Sequence, residues 1–407
     1  MRISRLAAAA TAAVMTAGGL VLAGAGAASA DTVDYRPART IPDYYDWDEM
    51  VVAVDIANDG TTYTLNKHGL ELRVFGPKAN GKKAKPIRVL GVPQQLSDAR
   101  DVAVDSQGRV YVLDLLESTK SRVRVWARGA TGPVLRTLNV PGYSTDVAVS
   151  AAGHVVVAGE RTVRVYAPGA SGDATPLQTL SGVASGLPQW TTGVALDSWG
   201  RVWVSSSNTL LVYARGATGQ DAPVATIAGS RTRLRGTAEI DLDAKNRVYV
   251  SDADAGISVF SPSRYGNVAP LRELRGRKSG LDWGLVGVNA RGDVITKRSR
   301  TSIGIFRTLF PTRPSAVRSV RVTRKASAKK RTVRWKKPAD DGGRDVRSYK
   351  VVIRKGSKVL KRVTLKPGRR SYTVRKSALR RGKLTVTVRA KTAKGWSPKA
   401  VKRFRVR

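Results

Sequence analysis

The sequence predicts an all-β protein in two parts, a ring of six four-stranded sheets followed by a smaller β-sandwich. Three observations carry that expectation. A β-rich phrase returns six times, no stretch reads as a helix of note, and basic charge rises abruptly where the repeats stop.

Composition narrows the chemistry first. The 407 residues suit two or three domains, and a hydrophobic content of 42% is enough to bury a core. The absence of cysteine excludes disulfides, thiol nucleophiles and zinc–thiolate sites. Two histidines, His68 and His154, exclude a site built from three imidazoles. Seventy-two Lys and Arg against thirty Asp and Glu leave a formal net charge of +42, so a strongly acidic polymer is the partner to expect.

Residues 1–30 read as a secretory signal. Arg2 and Arg5 precede an Ala/Leu/Val-rich stretch that ends in Ala28-Ser29-Ala30, which places the start of the mature chain at Asp31. No later stretch is long and apolar enough to span a bilayer, so a secreted, extracellular or cell-wall-associated monomer is expected. The Ala/Arg/Gly/Val bias resembles that of GC-rich, actinobacterial-like proteins.

The repeats occupy residues 31–310. Val52-Ala-Val-Asp55, Val102-Ala-Val-Asp105, Val147-Ala-Val-Ser150, Val194-Ala-Leu-Asp197, Ile240-Asp-Leu-Asp243 and Val286-Gly-Val-Asn289 start at intervals of 50, 45, 47, 46 and 46 residues. Each phrase leads through a Gly or Asn turn to a second run such as Arg109-Val-Tyr-Val112, which is a hairpin. A third run ends in an aromatic (Phe75, Trp126, Tyr166, Tyr213, Phe260 or Phe306), and a Gly/Pro-rich turn opens a fourth. A sheet this small cannot bury both faces alone, so the units must pack face to face around an axis. These phrases resemble NHL-repeat propellers, a resemblance that implies a six-bladed β-propeller. It leaves the activity open, because such propellers include scaffolds, ligand binders, lyases and lactonases. The sixth unit lacks its own outer strand, whereas Arg36-Pro-Ala-Arg-Thr-Ile41 carries an outer-strand phrase without inner strands before it. Residues 36–41 are therefore expected to close the ring, removing exposed sheet edges.

From Pro311 to Arg407, thirty-five Lys and Arg stand against three acids, Asp340, Asp341 and Asp345. This +32 leaves the propeller nearly balanced. Seven alternating runs, at about 317–323, 332–336, 347–354, 358–364, 371–375, 383–390 and 401–406, suit a β-sandwich. Pro314, Trp335 followed by Pro338, Tyr349 and the Gly395-Trp-Ser397 turn resemble a fibronectin type III domain, with Leu384 where that family places its corner tyrosine. The fold expected is thus a six-bladed β-propeller with a C-terminal fibronectin type III β-sandwich.

Two candidate sites follow. The cationic doublets Lys329-Lys330-Arg331, Lys336-Lys337, Arg369-Arg370 and Arg380-Arg381 are read as loop residues that hold a polyanion. Suitable polyanions are an anionic cell-wall polymer, an acidic polysaccharide or, without sequence reading, nucleic acid. Single cations alternate along the strands and face solvent. At the propeller mouth, the residues before the inner strands are Val51, Asp101, Asp146, Gly193, Glu239 and Leu285. Three carboxylates on one axis (Asp101, Asp146 and Glu239) suit Ca²⁺, or start turns and pair with Arg100 or Arg235. Asp241 reads as the one charge inside an inner strand, and Arg291-Gly-Asp293 as an ordinary hairpin turn. The function expected is that of a non-catalytic binding protein, with the propeller as a ligand-presenting scaffold and the basic domain as its anchor. The alternative is a metal-dependent lactonase or lyase at the propeller mouth.

Overall fold

The computed structural model describes residues 31–42, 51–66, 71–91, 95–254, 256–282, 284–298, 302–323 and 329–406. The signal segment and His68 lie outside the described residues. Six sheets, each an antiparallel meander, follow one another along the chain. Their inner strands are Val51–Ile56, Ala99–Val104, Ser144–Val149, Gly193–Leu196, Thr237–Leu242 and Gly287–Val288. Each inner strand touches the next, and the sixth touches the first, so the sheets are the blades of a closed β-propeller. The third-strand aromatics Phe75, Trp126, Tyr166, Tyr213, Phe260 and Phe306 are fully buried. They wedge between neighbouring blades, as Trp126 does among the side chains of blades one and two and Tyr213 among those of blades three and four.

Blade six is completed from the other end of the ring. Arg39–Pro42 pairs antiparallel with Ser302–Phe306, Ile41 opposite Ile303, and the Ala38 N–H extends the ladder to the Ile305 carbonyl at 2.8 Å. Ile41 is buried with Val51, Val54, Ile295 and Ile303 in the core that joins blades six and one. The sequence did not announce a second closure: Asp31–Val33 adds a parallel fifth strand to blade five, in register with Arg272–Leu274. Asp34 then accepts from the N–H groups of Lys278 and Ser279, both at 2.9 Å.

Blade one corrects the repeat spacing. The turn that closes each hairpin is marked by the N–H of Asp105, Ser150, Asp197, Asp243 and Asn289 donating to the carbonyl four residues on, and in blade one the donor is Ala57. Asp55 pairs with Tyr63 as Ala103 pairs with Tyr111 and Asp241 with Tyr249. The true equivalent of Val102 is Val54, an interval of 48 residues, and the mouth position of blade one is Ala53 rather than Val51. A shift of two residues keeps every side chain on its face of the strand, so hydrophobic alternation cannot detect it. The hairpin hydrogen bond fixes the register.

The sandwich packs a three-stranded sheet (Arg318–Val322, Lys330–Lys336, Ser371–Arg375) on a larger one. The larger sheet runs Lys358–Leu365, Ser348–Lys355, Gly382–Thr392 and Ala400–Val406, with Gly395–Trp396 at its edge. Trp335 and Tyr349 meet in the core with ring centroids 5.6 Å apart, and Leu384 is buried beside them. All three acids of this part lie at its joint with the propeller. Arg307 pairs with Asp345 at 2.9 Å and with Asp341 at 3.5 Å, and the Thr312 N–H donates to the Gly342 carbonyl at 2.9 Å. A Cβ on Gly343 would lie 2.1 Å from Thr308 Cγ2, so the close approach there needs glycine.

Removing residues 31–42 strips blade six of its outer strand and blade five of its extra one. The shortened protein is expected to melt at a lower temperature than the full chain and to self-associate through the freed Ser302–Phe306 edge. Calorimetry and light scattering check both effects, and an unchanged melt with a monomeric product would show closure by another route.

Candidate functional site

An inner propeller strand has no partner on its axial side, so its N–H groups face the channel and need acceptors. Carboxylates supply them at four of the six blade junctions. Asp55 accepts from the N–H of Ile56 at 2.6 Å and, across the junction, from Val104 at 2.6 Å. Asp101 accepts from Val102 at 2.7 Å and Val147 at 2.9 Å. Asp146 accepts from Val194 at 2.5 Å. Between blades five and six, Glu239 accepts from Val286 at 2.7 Å and Asp241 from Val288 at 2.5 Å. The other two junctions use glycine instead. A Cβ on Gly193 would lie 2.8 Å from the Ile240 nitrogen, and one on Gly287 would lie 2.8 Å from the Val54 oxygen. Where a carboxylate is missing, the backbones themselves close up.

These acids surround an axial cavity of about 240 Å³ lined by the inner strands of all six blades. Among the described residues no Lys or Arg lines it. Burial, first of all, raises the pKa of every one of the five. The neighbouring Asp241 adds to the rise at Asp55, and Asp101 adds to it at Asp146 and Glu239. Asp241 is pushed up to about 7 by burial, against the opposing effect of its backbone hydrogen bonds. The contact between the Asp101 and Asp146 carboxyls ties their titrations together, so that they lose protons as a pair.

The structure thus brings Asp101, Asp146 and Glu239 into one cavity, but not in the roles foreseen for them. Arg100 pairs with Asp98 and Arg235 with Asp254, so neither arginine neutralises a mouth acid. Asp241 is not alone inside a strand, because Asp55 stands at the same level of blade one. A Ca²⁺ ion needs six to eight convergent oxygens. Among the described residues no three acidic or imidazole side chains gather to hold a metal, and the carboxylate oxygens point at backbone N–H groups. The residues as placed do not fit Ca²⁺. His154 lies on a hairpin turn, its Nδ1 3.4 Å from Ser150 Oγ.

A separate set of acids holds the hairpins. Asp105, Asp197 and Asp243 bind the arginine four residues on, Arg201 to Asp197 at 2.7 Å for example, and also receive a hydrogen bond from Tyr111, Trp203 or Tyr249. This Asp-x-x-x-Arg-x-aromatic pattern is present in the sequence of blades two, four and five, and its spacing alone could have revealed it.

In the sandwich the cationic doublets are less uniform than their spacing suggested. Lys330, Arg331 and Lys336 belong to a strand rather than a loop, and Arg331 is only 3% exposed, which removes it from any binding surface. Its side chain points to the interior because it shares strand parity with Val333 and Trp335. Arg370 is half-buried and lies over the Tyr349 ring at 4.7 Å. Lys329, Lys337, Arg369, Arg380 and Arg381 are exposed outside the strands, as expected. Sequence reasoning gave little weight to the outward face of the larger sheet, where the strands carry cations in register.

Residues 315–404 match the fibronectin type III domain, so the C-terminal sandwich is a domain of that type. No curated protein matches the chain in sequence. In fold, the chain is similar to the WD40 β-propeller domain of Doa1, at 14% identity over 67% of this chain and 96% of that one, with a TM-score of 0.43. It is also similar to the extracellular domains of two hybrid two-component systems from B. thetaiotaomicron. One is 13% identical over 89% of this chain (TM-score 0.39), the other 12% identical over 92% (TM-score 0.43). The chain spans 56% and 59% of those two domains.

Two outcomes are expected of the axial site. Gly287→Ala forces a methyl against the backbone of blade one and should destabilise the ring by about 1–3 kcal/mol in a denaturant titration. The pH dependence follows from the raised carboxyls, since in the unfolded chain Asp and Glu titrate at about 4. From there upward the folded ring binds more protons than the unfolded chain. The contribution of these groups is therefore complete below about pH 4 and is lost as pH rises through the folded values, of which that of Asp241 is about 7. The melting temperature should fall between pH 5 and pH 8. Asp146→Asn keeps an acceptor for Val194 and offers Asp101 a permanent donor, so it should flatten that fall. A variant with the slope of the parent would refute the coupling of Asp101 and Asp146.

Proposed function

We propose that the chain is a secreted, non-catalytic binding protein whose fibronectin type III domain attaches it to an anionic polymer of the cell envelope, while the propeller presents a ligand-binding surface. The observation that carries this reading is the segregation of charge. The three acids of the basic domain all lie in the loop at the propeller joint, two of them paired with Arg307. From residue 346 to the end of the sequence there is no Asp or Glu. A compact domain pays for such an imbalance in self-repulsion, which a polyanion relieves. No helix among the described residues is long and apolar enough to cross a membrane.

The lactonase or lyase alternative asks for a metal or a free acid–base pair at the mouth. The carboxylates there are engaged in joining blades, which favours the binding reading. A cell-wall phosphate polymer is the partner chosen, because phosphate charge is dense and the domain has few spare aromatics for stacking on bases.

Retention of the full chain on isolated cell walls should weaken steeply with salt. Log affinity is expected to fall linearly with log salt, by about 0.7 per phosphate neutralised if single-stranded nucleic acid behaviour transfers. Retention indifferent to salt would sink the anchor.

A further inference from the structure

The proposed anchor leaves open where on the domain the polymer lies, and the strand register answers that question. This inference rests on the anchor reading. Residues paired across antiparallel strands project from the same face. On the larger sheet Tyr349, Val351, Ile353, Val386 and Val388 face the core, so their strand neighbours lie on the opposite face, where Val352 and Thr387 are covered and the arginines are not buried. Arg362 pairs with Val352, Arg354 with Thr385, Thr385 with Arg403, and Lys383 with Arg405. These cations therefore share one outward face that spans four strands.

The face has two regions. Near the joint, Lys350, Arg389 and Lys391 gather around Trp396, at 4.6, 5.8 and 5.5 Å from its ring centroid, and Arg389 also donates to the Ser397 carbonyl at 2.7 Å. Those charges are held by the indole and the turn. Farther out, Arg354, Arg362, Arg403 and Arg405 have neither a carboxylate nor an aromatic ring as partner among the described residues, and no acid occurs anywhere on the four strands. Residues two apart on a strand are separated by about 7 Å and neighbouring strands by about 4.8 Å. Successive positions from Arg362 through Arg354 and Arg403 to Arg405 thus step across the sheet at about 7–10 Å. That step is no longer than the Debye length of about 10 Å at 0.1 M salt, so the charges repel one another unless a counterion bridges them. By contrast, the loop cations sit at both ends of the sandwich. Lys329 lies beside Lys376, whose N–H donates to its carbonyl, whereas the Arg370 carbonyl accepts from the Trp335 N–H, next to Lys336.

We infer that the outward face of the four-stranded sheet, along the track Arg362–Arg354–Arg403–Arg405, binds an extended linear phosphate polymer lying across the strands. The planar guanidinium forks suit phosphate oxygens. The flat surface has no pocket that would demand one particular monomer, so the selectivity is for charge density and linearity.

The test uses the full chain and linear inorganic polyphosphate as the probe, with binding measured by titration across a salt series. Two variants lose the same charge: Arg354→Gln/Arg362→Gln/Arg403→Gln on the face, and Lys336→Gln/Lys337→Gln/Arg369→Gln at the joint end. The face variant is expected to lose at least tenfold in affinity and to show a shallower salt slope, whereas the other loses less than threefold. Thr385→Lys, which adds a cation between Arg354 and Arg403, should tighten binding, and it keeps the test decisive if the triple face variant folds poorly. Equal losses in both triples, no gain from Thr385→Lys, or binding to anionic phospholipid vesicles but not to polyphosphate would each overturn the track. Absence of salt-dependent binding by the unaltered chain would instead overturn the anchor reading itself.

Discussion

Six inner strands turn their unpaired edges toward one axis, and satisfying those edges is the constraint on which the ring depends. Backbone N–H groups left without acceptors in a narrow cavity are costly. The sequence meets the constraint in two ways. At four junctions a carboxylate reaches across, as Asp101 does to Val147, and at the other two a glycine lets the strands approach more closely, as Gly287 does against Val54. The acidity of the channel, which in isolation invites a catalytic or metal-binding reading, is a consequence of how the blades are joined. Raised pKa values follow from the same geometry, because carboxyl groups placed there for their acceptor oxygens are forced into a space that penalises their charge.

Charge in the fibronectin type III domain obeys the opposite logic. Within the channel, acids are concentrated without cations. On the domain surface, cations are spread without acids, and the few carboxylates available are drawn to the joint by Arg307. The joint therefore neutralises the end of the domain nearest the propeller and leaves the sheet face charged. The two domains meet through the Thr312–Gly342 hydrogen bond, the Arg307 ion pairs and the reach of Arg344 to the Thr308 carbonyl.

Much of this was legible in the sequence, and the gaps have physical reasons. The sixfold phrase, the third-strand aromatics and the displaced closing strand could be read because each is a local pattern tied to burial. The two-residue slip in blade one went undetected because strand parity is blind to even shifts, which hid Asp55 at the level of Asp241. The Asp31–Val33 strand was invisible because three residues carry no periodicity. Asp101, Asp146 and Glu239 were located correctly, but their role depends on which N–H lies opposite, a fact of the neighbouring blade rather than of the acid. Arg331 was misplaced because a run of three cations reads as loop until its strand neighbours, Val333 and Trp335, fix its direction.

The closing strand also sets the order in which the molecule can be built. Arg39–Pro42 is made early, yet its partner Ser302–Phe306 comes only after every other blade. Until then Arg39–Pro42 lacks its partner strand and the ring stays open. Loop closure over so long a span is slow, and contacts so distant in sequence belong to the late stages of folding. A chain organised in this way cannot complete its fold while much of it remains to be synthesised, so its topology keeps the ring open until the last blade is made.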